Sequence, residues 1–254
     1  MAEVVANGVR HHVQRLGSGD RTVVLIHGLV MDNLSSFYFT LANPLAEACE
    51  VILYDLRGHG MSERPTTGYT VASFVSDLAA LLDALTITRP VMIVGNSFGG
   101  LVALAFAAAH PARVERLLLI DAHAGVAGWA AQMTATLALT GDARDTKIAD
   151  SFKSWLGRHS ERKRNRLAKA AEALVERTSL VADLRGSTAV EVAGITCRTL
   201  ALYGEHSDVR SHGELLAKQL ADCTLRVLPG CSHSVLWEAT AEVKARVLEF
   251  VRAP

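Results

Sequence analysis

Short apolar runs rich in β-branched residues recur along the chain and constrain its fold more than any other feature. Each run has the length of a strand, and apolar residues follow one another without polar alternation, which is typical of strands buried on both faces of a parallel sheet. Helical patterns separate the runs. This alternation predicts an α/β fold with a doubly wound, mostly parallel sheet. The runs are Val23–Ile26, Val51–Tyr54, Val91–Val94, Leu117–Ile120 and Thr199–Leu202.

Two further strands are predicted at the margins of the sheet. Residues 225–228 form a short apolar run that we place nearer an edge. Residues 9–16 alternate more strongly, which favours an antiparallel strand at the start of the sheet. Helices are predicted between the strands, at residues 71–85, 101–109, 212–220 and 239–251.

The stretch from residue 122 to residue 193 interrupts this rhythm. It has no convincing strand pattern, but helical patterns cover residues 129–139, 145–156 and 162–177. About 70 residues without a strand are too many for an ordinary connection within one sheet. We therefore predict a helical cap at 122–193, inserted after the sixth strand, and a core domain made of residues 1–121 and 194–254.

Composition excludes several classes of protein. The 254 residues carry 26 Lys and Arg against 26 Asp and Glu, so nothing indicates a nucleic-acid binder. The first residues lack a secretory signal and no apolar stretch is long enough to span a bilayer, so we expect a cytoplasmic protein without a membrane span. The cysteines show no CxxC spacing and are expected as reduced thiols, and no histidine has metal-ligand spacing. We expect neither a metal nor a cofactor.

A G-x-S-x-G motif carries the clearest chemical signal. It reads Gly95-Asn96-Ser97-Phe98-Gly99, directly after the run 91–94 and directly before a helix-forming stretch. In this strand–turn–helix context the serine hydroxyl is lifted clear of the sheet, and the glycines let neighbouring backbone approach closely. The helix N-terminus behind Ser97 favours developing negative charge. The motif predicts a nucleophilic serine.

A serine nucleophile needs a base and an acid that orients it, and the chain supplies both in later loops. Asp208 follows the strand at 199–202, and His233 follows the strand at 225–228. Loops beyond the carboxyl ends of neighbouring parallel strands converge. We therefore predict a triad of Ser97, His233 and Asp208. The backbone N–H groups of Leu29 and Phe98 are the predicted oxyanion hole, and His27 is expected to support its loop.

These motifs resemble those of α/β-hydrolases with a helical cap, and the resemblance spans essentially the whole chain. It implies that the cap supplies much of an acyl-binding pocket and that the segment 55–62 orders loops beneath the active site. Some relatives place the acid after the preceding strand, so Asp121 is a rival to Asp208, whose Gly-x-x-x-Asp loop is the commoner arrangement. The resemblance rests on His27-Gly28, Asp55–Ser62, Gly95–Gly100, Gly204–Asp208 and His233.

Three residues of the cap region are candidates for the substrate pocket. His123 is a candidate to face it, while Trp129 and Met133, four residues apart on a predicted helix, either line an apolar acyl pocket or pack the cap. A run of basic residues between 158 and 177 is either a solvated helix face or a landing surface for an anionic partner, such as an acyl carrier protein or a coenzyme A thioester.

The predicted function is hydrolysis of a small-molecule carboxylic ester through an acyl-enzyme. The first alternative is a thioesterase that releases an acyl group from a carrier protein or coenzyme A, and carbon–carbon bond hydrolysis, lactone hydrolysis and cofactor-free perhydrolysis also suit these residues. Dehalogenase and epoxide-hydrolase chemistry are disfavoured because those relatives use an aspartate where this chain has Ser97. A ligand receptor without catalytic activity on the same fold is the alternative from a different class.

Overall fold

The computed structural model describes residues 2–143, 146–147 and 161–253, and the predicted helix at 145–156 lies almost wholly outside them. The strands are β1 (Ala2–Ala6), β2 (Val9–Leu16), β3 (Thr22–Ile26), β4 (Glu50–Tyr54), β5 (Val91–Asn96), β6 (Val114–Ile120), β7 (Arg198–Gly204) and β8 (Cys223–Leu228). The helices are α1 (Ser35–Phe37), α2 (Asn43–Ala46), α3 (Val71–Ala84), α4 (Phe98–Ala109), α5 (Trp129–Leu137), α6 (Glu161–Arg177), α7 (Leu180–Arg185), α8 (Arg210–Gln219), α9 (Val235–Glu238) and α10 (Thr240–Arg252).

The eight strands form one sheet in the order β1-β2-β4-β3-β5-β6-β7-β8. The six strands from β4 to β8 in that order are paired in parallel, and only β1 and β2 run antiparallel to their neighbours. The predicted doubly wound, mostly parallel sheet is confirmed. The carboxyl ends of β3, β5, β6, β7 and β8 therefore lie along one edge, where the loops that follow them can meet.

Both faces of the sheet are buried, which explains why its central strands have no polar alternation. In β3, Val24 and Ile26 pack into one apolar cluster and Val23 and Leu25 pack into the other. One cluster contains α3, α4 and α8, and the other contains α10 and the helical segment from α1 to α2. In a strand that is covered on both faces, every side chain is buried on folding, so apolar residues are favoured at every position.

Several elements were not predicted from the sequence: the strand β1, the helical segment between β3 and β4, and the short helices α7 and α9. The strand β1 pairs with β2 through a turn at Asn7-Gly8, where both residues have positive φ, 50° and 72°. Asn-Gly is a strong hairpin signal, so this strand was predictable. The helical segment between β3 and β4 consists of α1, a π-helical turn at Tyr38–Ala42 and α2, and these short pieces lack the long periodicity on which helix prediction depends.

The described part of residues 122–193 contains helices and no strand. In it, α5 packs against α7, while Trp129, Leu174 and Leu180 are buried in the same cluster as α3 and α4. Residues 122–193 as a cap, with the boundaries given above, stay a prediction. Within the described ranges, no helix is both long and apolar enough to cross a membrane.

Candidate active site

Ser97 occupies the sharp turn between β5 and α4. Its φ of 52° and ψ of −118° are strained for a residue with a side chain, and its N–H donates to the Ile120 carbonyl at 2.9 Å. A Cβ at Gly95 would lie 2.5 Å from the Gly99 carbonyl oxygen, and one at Gly99 would collide with the carbonyl oxygen of Ile26. The two glycines thus let strand and helix approach closely enough to hold Ser97 in this conformation.

His233 lies in the loop after β8, and its imidazole reaches the serine. The Nε2 atom is 3.0 Å from Ser97 Oγ, and only 14% of the His233 side chain is exposed. Burial lowers the pKa of His233, but the hydrogen bond and the charge of Asp121 outweigh it, so the net pKa is raised above its ordinary value. The ring can therefore accept a proton readily from the serine hydroxyl.

Asp121 is the carboxylate that contacts His233. It follows β6, is fully buried, and its Oδ2 lies 2.5 Å from His233 Nδ1. Its own φ is 45°, and its N–H donates to the Leu202 carbonyl of β7 at 2.7 Å. The backbone of Asp121 is thereby fixed between two strands, with its side chain aimed at the imidazole.

Asp208, which the sequence suggests as the orienting acid, is not within hydrogen-bond distance of His233. Its Oδ1 lies 3.9 Å from His233 Nδ1, its side chain is 48% exposed, and its Oδ2 accepts from Lys147 Nζ at 2.9 Å. Burial alone would raise the pKa of Asp208, but His233 and Lys147 together lower it. The structure thus pairs Asp208 with Lys147 and brings Asp121, the rival acid, within hydrogen-bond distance of His233.

Two groups that sequence reasoning missed hold the Asp121 carboxylate. Ser207 Oγ donates to Asp121 Oδ2 at 2.5 Å, and Gly204 N–H donates to Asp121 Oδ1 at 2.8 Å. Both come from the segment that was expected to supply the acid itself. The only signal in the sequence is the position of Ser207, immediately before Asp208 in the loop after β7.

The loop after β3 carries Leu29, which lines the same cavity as Ser97. The amides on either side of Leu29 are already used, since Gly28 N–H donates to Asp32 Oδ2 at 2.8 Å and Val30 N–H donates to His59 Nε2 at 2.7 Å. Among the described residues, Leu29 N–H donates no hydrogen bond to a backbone or side-chain acceptor. Phe98, the other predicted donor, is the first residue of α4, next to Ser97.

The segment 55–62 supports this loop from below, as the resemblance implies. Asp55 accepts from the backbone N–H groups of Leu34 and Met61, each at 2.8 Å. His27 Nε2 accepts from Leu56 N–H at 3.0 Å, so His27 joins the two segments rather than facing the serine. Burial and the neighbouring His27 lower the pKa of His59 to about 3, which keeps its Nε2 available as the acceptor for Val30.

A cavity of about 520 Å³ opens beside Ser97 and His233. All three pocket candidates line it: His123, Trp129 and Met133. Residues of α6 form another part of its wall, and Arg162, Arg166 and Lys169 of the basic run are exposed on that helix, whereas Arg158 lies outside the described residues. A second cavity of about 30 Å³, the space that one water molecule occupies, adjoins Ser97 beside Asp32 and Asn96.

No other reactive centre is evident in the described ranges. Cys49, Cys197, Cys223 and Cys231 are free thiols, and burial raises the pKa of each. Raised thiol pKa values disfavour the reactive thiolate. Within the same ranges, no three His, Cys, Asp or Glu side chains are grouped so that they could hold a metal ion.

Comparisons with known proteins agree on the family. A family model described as the alpha/beta hydrolase fold matches residues 21–189. The chain is 40% identical over 121 residues to the 2-hydroxy-6-oxo-2,4-heptadienoate hydrolase of Pseudomonas putida, a match that covers 47% of this chain and 43% of that protein. Several other curated relatives are likewise matched over only 33% to 44% of their length.

Solved structures are similar over nearly the whole chain. A hydrolase from Pseudomonas aeruginosa PA01 shares 26% identity at a TM-score of 0.80, with 99% of this chain and 98% of that chain covered. The enol-lactonase of Burkholderia xenovorans LB400 shares 24% identity at a TM-score of 0.78, with 99% and 100% covered. At 24% identity, the similarity to the enol-lactonase is evidence for the fold alone.

Proposed function

Because the chain belongs to the α/β-hydrolase family of enzymes, we propose that it is a serine hydrolase that cleaves a carboxylic ester through an acyl-enzyme. One observation carries the proposal. An unbroken line of hydrogen-bonding groups runs from Ser97 Oγ through His233 to the buried Asp121, and it begins at the wall of a cavity large enough for a small organic substrate.

In the proposed first step, Ser97 Oγ attacks the ester carbonyl carbon while His233 Nε2 accepts the proton of the Ser97 hydroxyl. Asp121 accepts the hydrogen bond from Nδ1–H and stabilises the imidazolium that forms. The Leu29 and Phe98 N–H groups receive the developing oxyanion, where one donor is typically worth about 3 kcal/mol. Imidazolium then protonates the departing alkoxide, which leaves the acyl group bound to Ser97.

In the second step, water attacks the acyl-enzyme with His233 again as base. We propose the 30 Å³ cavity beside Ser97 and His233 as the binding site of that water, since Asp32 and Asn96 line it and offer polar partners. Proton return from Nε2 to Ser97 Oγ releases the carboxylic acid and restores the enzyme.

A fluorophosphonate probe tests this proposal directly. We expect the probe to add to the folded wild-type protein at Ser97, as read by intact mass and peptide mapping, and to inhibit hydrolysis of p-nitrophenyl esters. Ser97→Ala is expected to lose both adduct and hydrolysis. Wild-type protein that is folded by circular dichroism but neither labelled nor active would overturn the proposal and favour the receptor alternative.

A second candidate reaction, carbon–carbon bond hydrolysis, is favoured by one observation. The P. putida relative, 40% identical over its matched region, is named as a hydrolase of 2-hydroxy-6-oxo-2,4-heptadienoate. The same Ser97 and His233 would serve that reaction. Comparison of kcat/KM for this dienoate with kcat/KM for simple esters separates the two: a dienoate value higher by about 100-fold or more would assign the carbon–carbon reaction.

A further inference from the structure

His123 places an imidazole beside the reacting groups without belonging to their hydrogen-bonded line. Its backbone N–H donates to the Ser97 carbonyl at 3.2 Å, which ties its position to that of the nucleophile. Its ring centroid lies 5.7 Å from that of His233, and its side chain lines the large cavity. A group bound against His123 would therefore sit close to the scissile carbonyl.

The ring nitrogens of His123 have no hydrogen-bond partner among the residues that the structure describes. The neighbouring imidazoles differ: His212 Nδ1 accepts from Ala124 N–H at 3.2 Å, and both nitrogens of His233 are engaged. The His123 side chain is partly exposed toward the cavity, so a ligand atom bound there can form a hydrogen bond with one of these nitrogens.

The surroundings of His123 indicate an uncharged ligand group. Burial, His233 and His212 lower the pKa of His123 to about 3, so the ring is neutral and offers one donor and one acceptor. The nearest charged pair on the cavity wall, Asp208 and Lys147, is satisfied within itself. Trp129 and Met133 line the same cavity and add apolar surface to it.

We propose that His123 recognises a keto or hydroxyl oxygen carried by the acyl part of the substrate, a few bonds from the scissile carbon, since its ring lies beside that of His233 at a centroid distance of 5.7 Å. His123 is thus a specificity-determining residue for an oxygenated acyl group. The inference rests on the proposed hydrolase function and extends it to a substrate class.

The test compares methyl hexanoate with its 3-oxo, 4-oxo, 5-oxo and 3-hydroxy derivatives. Each kcat/KM is divided by the rate at which hydroxide hydrolyses the same ester, which removes differences in intrinsic reactivity. We expect a 3- or 4-oxygenated ester to exceed methyl hexanoate by about 10- to 100-fold, and the 5-oxo ester to show a smaller advantage. The 3-oxo and 3-hydroxy arms separate keto from hydroxyl recognition.

Variants assign the preference to the imidazole. In His123→Leu the advantage is expected to fall below about twofold, whereas His123→Gln, which keeps a donor and an acceptor, retains part of it. Met133→Leu, on the same wall, is the matched control and is expected to change the rates for all the esters by a similar factor. Thermal unfolding verifies that each variant folds. If His123→Leu does not fold, the preference of the wild-type protein for oxygenated esters and its partial retention in His123→Gln still test the inference.

Two outcomes would overturn the inference: a wild-type ratio near one for every oxygenated ester, or an advantage that His123→Leu retains. Either leaves ester hydrolysis and fluorophosphonate labelling intact. Failure of the proposed function is different, since it would abolish labelling and the hydrolysis of every ester in the series.

Discussion

The loops after β6 and β7 each present a carboxylate to the same imidazole, and they do so in different ways. Asp121, after β6, is fully buried, lies 2.5 Å from His233 Nδ1 and accepts two further hydrogen bonds. Asp208, after β7, is half-exposed, lies 3.9 Å away and pairs with Lys147. Both carboxylates lie at the same edge of the sheet, but only Asp121 is held in contact with His233.

The contrast shows what makes a carboxylate suitable to orient a base. A buried anion in a hydrogen-bonded cage has a fixed position and acts through a low dielectric, and Asp121 accordingly raises the pKa of His233. An exposed anion is screened by water and by its own counter-ion. We therefore assign the orienting role to Asp121 in the proposed mechanism, and four expectations test that assignment.

The largest effect is expected for Asp121→Asn. The amide cannot stabilise the imidazolium and favours the wrong tautomer of His233, so kcat for ester hydrolysis should fall by about 10³- to 10⁴-fold. Steady-state kinetics on a p-nitrophenyl ester measures it, with Asp208→Asn as the matched control. A loss in the control as large as that in Asp121→Asn would reverse the assignment.

Ser207→Ala should have the next largest effect. It removes the hydroxyl that donates to Asp121 Oδ2, the same oxygen that contacts His233. Loss of a charge-assisted hydrogen bond of about 1.5 to 3 kcal/mol, partly compensated by water, predicts roughly a tenfold drop in kcat with a smaller change in KM. Ser207→Thr, which keeps the hydroxyl, should recover activity; equal losses in both variants would contradict the role given to this hydroxyl.

The pH profile should reflect the Asp121 contact. Catalysis needs neutral His233, and Asp121 raises its pKa above 6.5. The rate should therefore rise with pH and level off above that raised pKa, falling about tenfold per pH unit below it. In the residual activity of Asp121→Asn the acid limb should move to lower pH, because the charge that favours imidazolium is gone; an unmoved limb would assign the shift to another group.

The smallest effect is expected for Asp208→Asn. Its ion pair with Lys147 is solvent-exposed on both sides, and such pairs are typically worth about 0.2 to 1 kcal/mol. We expect kcat to change less than about threefold and the unfolding temperature to change little. Lys147→Met should change kcat and the unfolding temperature equally little. A larger effect in one of the two variants would show that this residue has a role outside the ion pair.

The sequence was sufficient to predict the sheet and the proximity of Ser97 to His233. Strand length, the β-branched runs and the two glycines at 95 and 99 dictate a strand–turn–helix, and parallel strands bring their loops to one edge by geometry alone. The hairpin at Asn7-Gly8 was equally readable, although β1 was not predicted.

The choice between Asp121 and Asp208 was not readable in the same way. Both residues follow strands that end at the same edge, so spacing places either within reach of His233. The decision depends on loop conformation, in which Asp121 has a positive φ and Ser207 donates to its carboxylate, while Asp208 pairs with Lys147. Such torsions depend on tertiary contacts that no local pattern encodes.

The backbone conformation of Ser97 also has a consequence for folding stability. A non-glycine residue held at a sparsely populated φ and ψ costs about 1 to 3 kcal/mol, a large part of the 5 to 15 kcal/mol by which a typical domain is stable. The close packing of strand and helix at Gly95 and Gly99 must keep Ser97 in this conformation while the surrounding core fluctuates. Mutations that loosen packing around this turn should therefore reduce activity before they unfold the protein.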